Sequence, residues 1–156
     1  MNTIGIIGQG FVGTAIHKGL ENFYKIAAYD IDETKSNTTL EKLIIESNII
    51  FQCLPTPMKK SGACDLSIVN LSLRNINMIC EKWDRSPIVI VKSTVPPGTC
   101  EALNNVYENI NIVFSPEFLT EANFIDDFKT QNRIIIGGPR PATTVVKNMY
   151  RKVFQE

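Results

Sequence analysis

The chain lacks the features that mark membrane, secreted and nucleic-acid-binding proteins. It contains no run of about 18 apolar residues, so no transmembrane helix is predicted. Its N-terminus has neither the basic region nor the cleavage site of a signal peptide. Lys and Arg number 16 and Asp and Glu number 16, which gives a formal net charge of zero. A neutral chain is poorly suited to bind nucleic acid or anionic lipid. We therefore expect a cytoplasmic protein with no nucleic-acid and no membrane partner.

The chain is also poor in metal-binding patterns. It has one histidine, His17, and none of its four cysteines forms a C-x-x-C pair. Because no histidine stands at a metal-ligand spacing, no metal site is predicted. An even number of cysteines would permit two disulfides, but without secretion signals we expect reduced thiols with structural roles.

The composition itself is that of a globular domain, with 44% hydrophobic and 21% charged residues in a chain of 156. This length suits one domain, over residues 1–156. Short apolar runs without clean alternation are separated by helical patterns, which is typical of a parallel sheet buried on both faces. We predict six strands, at residues 3–7, 25–30, 49–54, 88–91, 110–114 and 133–136.

The segments between these strands have helical periodicity or helix caps. Helices are predicted at 11–20, at 40–46, from an N-cap at Asp65 through Cys80, at 99–107, and from Pro141 onwards. Together they give a doubly wound α/β fold with helices on both faces of the sheet and an apparent strand order of 3-2-1-4-5-6. The last helix has a wide apolar face, part of which should cover the sheet. The rest is available for a partner or a second copy of the chain. The face consists of Val145, Val146, Met149, Tyr150, Val153 and Phe154.

A glycine motif, GQGFVG at residues 8–13, follows the first predicted strand and opens the first helix. This context is the one required of a dinucleotide-binding loop. Gly8 permits a tight turn, Gly10 lets a pyrophosphate approach the backbone, and Gly13 lets the helix lie close to the strand. Phe11 and Val12 would offer first-turn N–H groups to the phosphates. The alternative is a glycine turn that serves packing only.

Asp30 ends the second predicted strand, 22 residues after Gly8. A carboxylate at about this spacing accepts hydrogen bonds from the adenosine ribose hydroxyls. It would repel a 2′-phosphate, so NAD is favoured over NADP. Lys35 lies nearby and would pair with Asp30 or reach the adenosine end, unless it is a solvated surface lysine.

Three further motifs follow the third, fourth and fifth predicted strands: LPTP at 54–57, KSTVPPGT at 92–99 and SPEFLTE at 115–121. Doubly wound sheets bind ligands at the carboxyl ends of their strands. Each motif combines a proline-stiffened backbone with hydroxyl or carboxylate side chains, which suits the orientation of a ligand.

With these motifs in this order, and with NRIIIGG at 132–138, the chain resembles the N-terminal domain of the UDP-glucose/GDP-mannose dehydrogenases. The resemblance covers nearly the whole chain and implies a Rossmann-type domain that binds NAD. It also implies a four-electron oxidation of the C6 alcohol of a nucleotide sugar to a carboxylate, with two NAD⁺ reduced. In that family the reaction passes through a thiohemiacetal and a thioester on a cysteine.

The resemblance also implies roles for individual residues. Thr56 and Thr94 would line the nicotinamide half of the cofactor site, and Thr94 would help to position a water. Glu117 would serve base catalysis and thioester hydrolysis, although a carboxylate there could instead cap backbone N–H groups of its own loop. The remaining roles fall on the next residues of the loop: Phe118 and Leu119 would meet the sugar nucleotide through their backbone, and Glu121 would lie near nicotinamide and substrate, or else belong to the first turn of a helix.

The chain departs from the family pattern in one respect. The family's nucleophilic cysteine, with its assisting lysine and asparagine, belongs to a later domain, and no cysteine here stands in a matching motif. We therefore expect a chain that binds NAD without turning over alone. Two alternatives stay open: a stand-alone nucleotide-binding or protein-interaction module, and another short NAD oxidoreductase with Glu117 as its base.

Overall fold

The structure is a computed structural model that describes residues 2–154. A parallel sheet of five strands forms its centre: β1 (Thr3–Ile7), β2 (Lys25–Tyr29), β3 (Ile49–Gln52), β4 (Ile88–Val91) and β5 (Asn111–Phe114). The strands lie in the order β2-β1-β3-β4-β5.

Helices cover both faces of this sheet, so the doubly wound α/β architecture is confirmed. The helices are α1 (Phe11–Leu20), α2 (Leu40–Glu46), α3 (Ser67–Trp83), α4 (Thr99–Asn104), α5 (Phe124–Thr130) and α6 (Ala142–Phe154). One layer contains α1, α5 and α6, and the other contains α2, α3 and α4.

The helices differ from the predictions in four places, the first of which is that α3 ends at Trp83, about one turn after the predicted Cys80. The predicted N-cap, Asp65, does accept a hydrogen bond from the Ser67 N–H at 3.0 Å, but the capping position itself is Leu66. Helix α4 ends at Asn104, about one turn earlier than predicted. Helix α5 is absent from the sequence-based prediction.

The predicted strand order 3-2-1-4-5-6 is wrong, because the third strand lies beside β1 and not beside β2. Helix α2 packs across both β1 and β2. Its buried Leu43 fills the space that a side chain at Gly5 of β1 would need. The chain therefore crosses over β1 after β2 and enters the sheet on the other side.

The predicted sixth strand at 133–136 is also wrong. Only Gly137 pairs with β5, through two hydrogen bonds to Phe114 of 2.7 and 2.8 Å. In an antiparallel ladder the next hydrogen-bonded pairs would be Ile112 with Pro139 and Pro116 with Ile135. Neither proline has an N–H group to donate, so the ladder stops after one pair.

The edge of β5 is completed instead by the side chain of Asn104 on α4. Its Nδ2 donates to the Ile112 carbonyl at 2.8 Å, and its Oδ1 accepts from the Ile112 N–H at 2.8 Å. The amide thus takes the place of a neighbouring strand and satisfies the polar backbone groups of a fully buried residue.

The apolar face of α6 mostly covers the sheet. Val146, Met149 and Tyr150 are buried, and Phe154 packs against Phe128 with ring centroids 5.7 Å apart. Val145 is 43% exposed. Little of this face is left for a partner, and an interface there stays a prediction. Among the helices within residues 2–154, none has the length and hydropathy of a membrane-spanning segment.

We expect Asn104→Ala to lower the free energy of unfolding by about 2 kcal/mol, because it leaves a buried N–H and a buried carbonyl of Ile112 without partners. Asn105→Ala is the matched control, since Asn105 is the exposed next residue and should change stability by about 0.5 kcal/mol or less. Urea denaturation of the three proteins measures the difference. Equal stability of the two variants would contradict the role of Asn104.

Candidate functional site

A cleft of about 860 Å³ opens at the carboxyl ends of β1 to β4, bounded by the start of α1 and by α3. It brings together most of the residues that the sequence singled out, although they come from five separate segments. Those that line it are Gly8, Gly10, Phe11, Val12, Asp30, Lys35, Thr56, Thr94 and Glu117.

The three glycines of the loop have distinct environments. Gly8 has a φ of +92°, and a Cβ there would collide with the Cys53 carbonyl at the end of β3. Gly13 lies outside the cleft lining, and a Cβ there would collide with the Gly8 carbonyl. A Cβ at Gly10 would meet nothing within 4 Å. Gly8 and Gly13 therefore serve close packing of the backbone, whereas Gly10 keeps the cleft open.

Asp30 is hydrogen-bonded to the glycine loop. Its Oδ2 accepts from the Gln9 N–H at 2.6 Å, and its Oδ1 accepts from the Asp32 N–H at 2.9 Å. Lys35 lines the same end of the cleft but forms its ion pair with Asp32, at 3.8 Å, and not with Asp30. Asp30 thus keeps its charge facing this end of the cleft.

The loops after β3 and β4 are joined by side-chain hydrogen bonds. Thr56 Oγ1 donates to the Thr94 carbonyl at 2.7 Å. Ser93 Oγ donates to the Leu54 carbonyl at 2.5 Å and accepts from the Leu54 N–H at 3.3 Å. These bonds hold the LPTP and KSTVPPGT motifs against each other as one wall of the cleft.

Glu117 both lines the cleft and caps its own loop, the two positions that the sequence left open for it. Its Oε2 accepts from the Leu119 N–H at 2.6 Å, so the carboxylate does cap its own loop, and it also lines the cleft.

Phe118 lies outside the lining of the cleft, is 53% exposed, and has the Arg133 guanidinium 4.9 Å from its ring centroid. Leu119 packs against the core, and Glu121 lies exposed in the turn before α5. The roles of these last three residues stay predictions.

Lys92 belongs to the KSTVPPGT motif, but the sequence alone predicts no role for it. It lies directly after β4, lines the cleft and is 6% exposed. Burial lowers its pKa to about 8, although attraction to Glu117 opposes the shift. Burial raises the pKa of the neighbouring Cys53 thiol to about 12, so that thiol is neutral near pH 7. The signal in the sequence was a lysine at the end of an apolar strand.

Helix α3 supplies a wall that the sequence-based analysis also missed. Its buried stripe, which includes Val69 and Leu73, faces the core, whereas Ile68 and Leu71 are exposed and line the cleft with Ser72 and Asn75. Apolar residues outside the buried stripe of a helix were the available signal.

The sequence profile of the UDP-glucose/GDP-mannose dehydrogenase family, NAD binding domain, matches residues 17–156. The chain belongs to this family. The resemblance seen in the motifs is therefore confirmed, and NAD is the cofactor of the family's domain. The matched residues begin after the glycine loop, so the geometry described above is what supports the role of that loop.

Curated relatives agree with the family. A UDP-glucose 6-dehydrogenase from Rickettsia bellii is 30% identical over 118 residues, which cover 73% of this chain and 26% of the relative. A UDP-glucose 6-dehydrogenase from Oryza sativa is 35% identical over 130 residues, again 73% of this chain and 26% of the relative. The present chain thus spans about a quarter of the length of these relatives.

Solved structures show the same fold. A UDP-glucose dehydrogenase from Pyrobaculum islandicum matches with a TM-score of 0.86 at 23% identity, over 98% of this chain and 44% of that one. A GDP-mannose dehydrogenase from Pseudomonas aeruginosa matches with a TM-score of 0.83 at 22% identity, over 96% of this chain and 44% of that one.

The glycine environments generate a prediction about stability. Gly13→Ala should lower the free energy of unfolding by about 2 kcal/mol or more, because its methyl group meets a backbone carbonyl that cannot move aside. Gly10→Ala should lower it by less than about 1 kcal/mol, since the methyl group enters open space. Chemical denaturation of both variants measures this, and a Gly10 variant as unstable as the Gly13 variant would refute the assignment.

Proposed function

We propose that this chain is the cofactor-binding part of a nucleotide-sugar dehydrogenase. It binds NAD in the cleft, and the complete enzyme oxidises the C6 alcohol of a sugar such as that of UDP-glucose to a carboxylate with two NAD⁺. The observation that carries the proposal is the single cleft that joins the glycine loop and Asp30 to Thr94 and Glu117.

The start of α1 fits a pyrophosphate. The first N–H groups of a helix have no partner within it and point at an incoming anion. The first turn of α1 contains no acidic residue that would repel phosphate. The open space at Gly10 allows the phosphates to lie against the backbone.

Asp30 fits an adenosine ribose with free hydroxyls. Each of its oxygens accepts one backbone N–H and keeps a second lone pair for a ribose hydroxyl. A 2′-phosphate would bring a second negative charge against this carboxylate. This arrangement supports NAD rather than NADP.

Glu117 and Thr94 fit the acid–base part of the reaction. Bound NAD⁺ supplies the hydride acceptor, and each oxidation of the C6 carbon also releases a proton that a carboxylate can take up. Glu117 lies in the cleft wall to receive it, and the Thr94 hydroxyl would orient the one water that the four-electron oxidation consumes.

The covalent step needs a thiolate from another part of the enzyme. Burial raises the pKa of Cys53 to about 12 and that of Cys80 and Cys100 to about 11, so these three thiols are neutral near pH 7. A neutral thiol is a poor nucleophile. The fourth cysteine, Cys64, donates its S–H to the Thr94 carbonyl at 3.7 Å. As the family resemblance implies, the reactive cysteine and the sugar nucleotide of the complete enzyme would meet this cleft from another domain.

Binding of NAD⁺ is the first test. At about 100 times its dissociation constant, NAD⁺ should stabilise the chain by roughly 2.7 kcal/mol and raise the melting temperature by about 5–10 °C. NADP⁺ at the same concentration should raise it by less than half as much. Differential scanning fluorimetry measures both, and a chain that responds to neither nucleotide would instead favour a protein-interaction module.

Gly10→Ala provides the matched variant for that site. It should weaken NAD⁺ binding at least tenfold, because the methyl group occupies the space of the pyrophosphate, while stability without ligand changes little. Isothermal titration calorimetry on the wild type and the variant measures this. Unchanged affinity would place the cofactor elsewhere.

Turnover is the second test. The 156-residue chain with UDP-glucose and NAD⁺ should produce no sustained increase in NADH absorbance at 340 nm, since the reactive cysteine of the family is expected in a later domain. Continuous NADH production by the pure chain would overturn the proposal that the reactive cysteine comes from another domain. It would favour an oxidoreductase that uses Glu117 alone.

A further inference from the structure

Lys92 is the one charged side chain that is buried within residues 2–154. Its Nζ donates a hydrogen bond to the Pro116 carbonyl at 3.3 Å, which uses one of the three N–H groups of an ammonium. The side chain also forms part of the cleft wall. An ammonium in this position is costly to bury, and the single hydrogen bond does not account for it.

The groups around Lys92 leave its charge only partly balanced. Cys53 faces it from the end of β3, Glu117 from the loop after β5, and Tyr150 of α6 lies next to Cys53. Burial raises the pKa values of the Cys53 thiol and the Tyr150 hydroxyl, so both are neutral between pH 7 and 9. Glu117 is therefore the anion that faces the ammonium, and it makes no ion pair with Lys92 within 4 Å.

Lys92 lies at a defined end of the cleft. Asp30 and Lys35 follow β2 at one side of the glycine loop, whereas Lys92, Thr94 and Glu117 follow β4 and β5 at the other. With the adenosine ribose on Asp30 and the pyrophosphate at Gly10, as proposed above, the nicotinamide half of the cofactor extends toward Lys92.

We propose that Lys92 makes the cleft bind NADH more tightly than NAD⁺, by placing a buried ammonium at the end that receives the nicotinamide ring. The oxidised ring carries a positive charge and the reduced ring carries none. Repulsion from Lys92 therefore raises the free energy of the oxidised complex relative to the reduced one. Since the Lys92 ammonium would repel the oxidised ring and not the reduced one, it would also favour reduction of the bound cofactor over the reverse reaction.

The inference rests on the proposed function, and affinities for three nucleotides separate the two. NAD⁺ and NADH report the effect of ring charge, and ADP-ribose reports the binding of the part that both share. We expect Lys92→Met to reduce the preference for NADH over NAD⁺ by about three- to tenfold. The affinity for ADP-ribose should change less than about twofold. Lys92→Arg keeps the charge and should keep the preference. Calorimetry gives all nine dissociation constants.

Nucleotide affinities of the wild type measured at several pH values test the same proposal without depending on the folding of the Lys92→Met variant. Because the Lys92 pKa is about 8, the side chain loses its proton as pH rises from 7 to 9. NAD⁺ binding should then tighten relative to NADH binding, with no matching change for ADP-ribose. The ratio of NADH to NAD⁺ affinity of the Lys92→Arg variant should stay constant over this range, since a guanidinium does not titrate there.

The outcomes are distinguishable. A ratio of NADH to NAD⁺ affinity that is the same in wild type and Lys92→Met, and constant from pH 7 to 9 in the wild type, overturns the role of Lys92 but leaves cofactor binding intact. Failure of all three nucleotides to bind the wild type overturns the proposed function and this inference with it. Equal losses for all three in Lys92→Met would show a structural role only.

Discussion

The close approach of Gly8 to the end of β3 sets the relative position of the strand ends at the centre of the cleft. The Gly8 N–H donates to the Tyr29 carbonyl of β2 at 2.8 Å, and the Cys53 N–H donates to the Ile7 carbonyl at 2.8 Å. A side chain at Gly8 would force these strand ends apart. Since α1 begins directly after this turn, the same contact also determines where the N-terminus of the helix points.

Asp30 depends on this geometry and contributes to it. Its bond to the Gln9 N–H ties the end of β2 to the glycine loop. A carboxylate that is already oriented by backbone N–H groups loses little side-chain freedom when a ribose binds. With the proposed cofactor, a chain with a net charge of zero would recognise an anionic pyrophosphate through a few placed groups, without a basic surface.

The sequence predicted the parts of the fold that depend on local chemistry. The glycine loop, Asp30 and the three proline-containing motifs all lie at the strand ends where they were expected. The strand order was not predictable in the same way, since periodicity shows that a strand is buried but not which neighbour it has. The crossing of α2 over β1, which brings β3 to the other side of β1, is visible only in the structure, where Leu43 fills the space above Gly5.

The predicted sixth strand has the apolar pattern of a strand, but Pro116 and Pro139 remove the N–H donors that a ladder needs. The burial of Lys92 was not predictable from the sequence, because a lysine side chain is rarely buried.

The loop after β5 illustrates why the two descriptions of Glu117 are compatible. At its start, Lys92 holds the Pro116 carbonyl, and at its end the Asp127 carboxylate accepts from both the N–H and the hydroxyl of Thr120, at 2.8 and 2.6 Å. Between these anchors Glu117 bonds the Leu119 N–H with one oxygen. A base that must receive a proton benefits from such fixed geometry, because little reorganisation is left when the substrate arrives. Capping the loop is therefore what keeps this carboxylate in the wall of the cleft, and its structural bond is a condition for its proposed chemistry rather than a competitor to it.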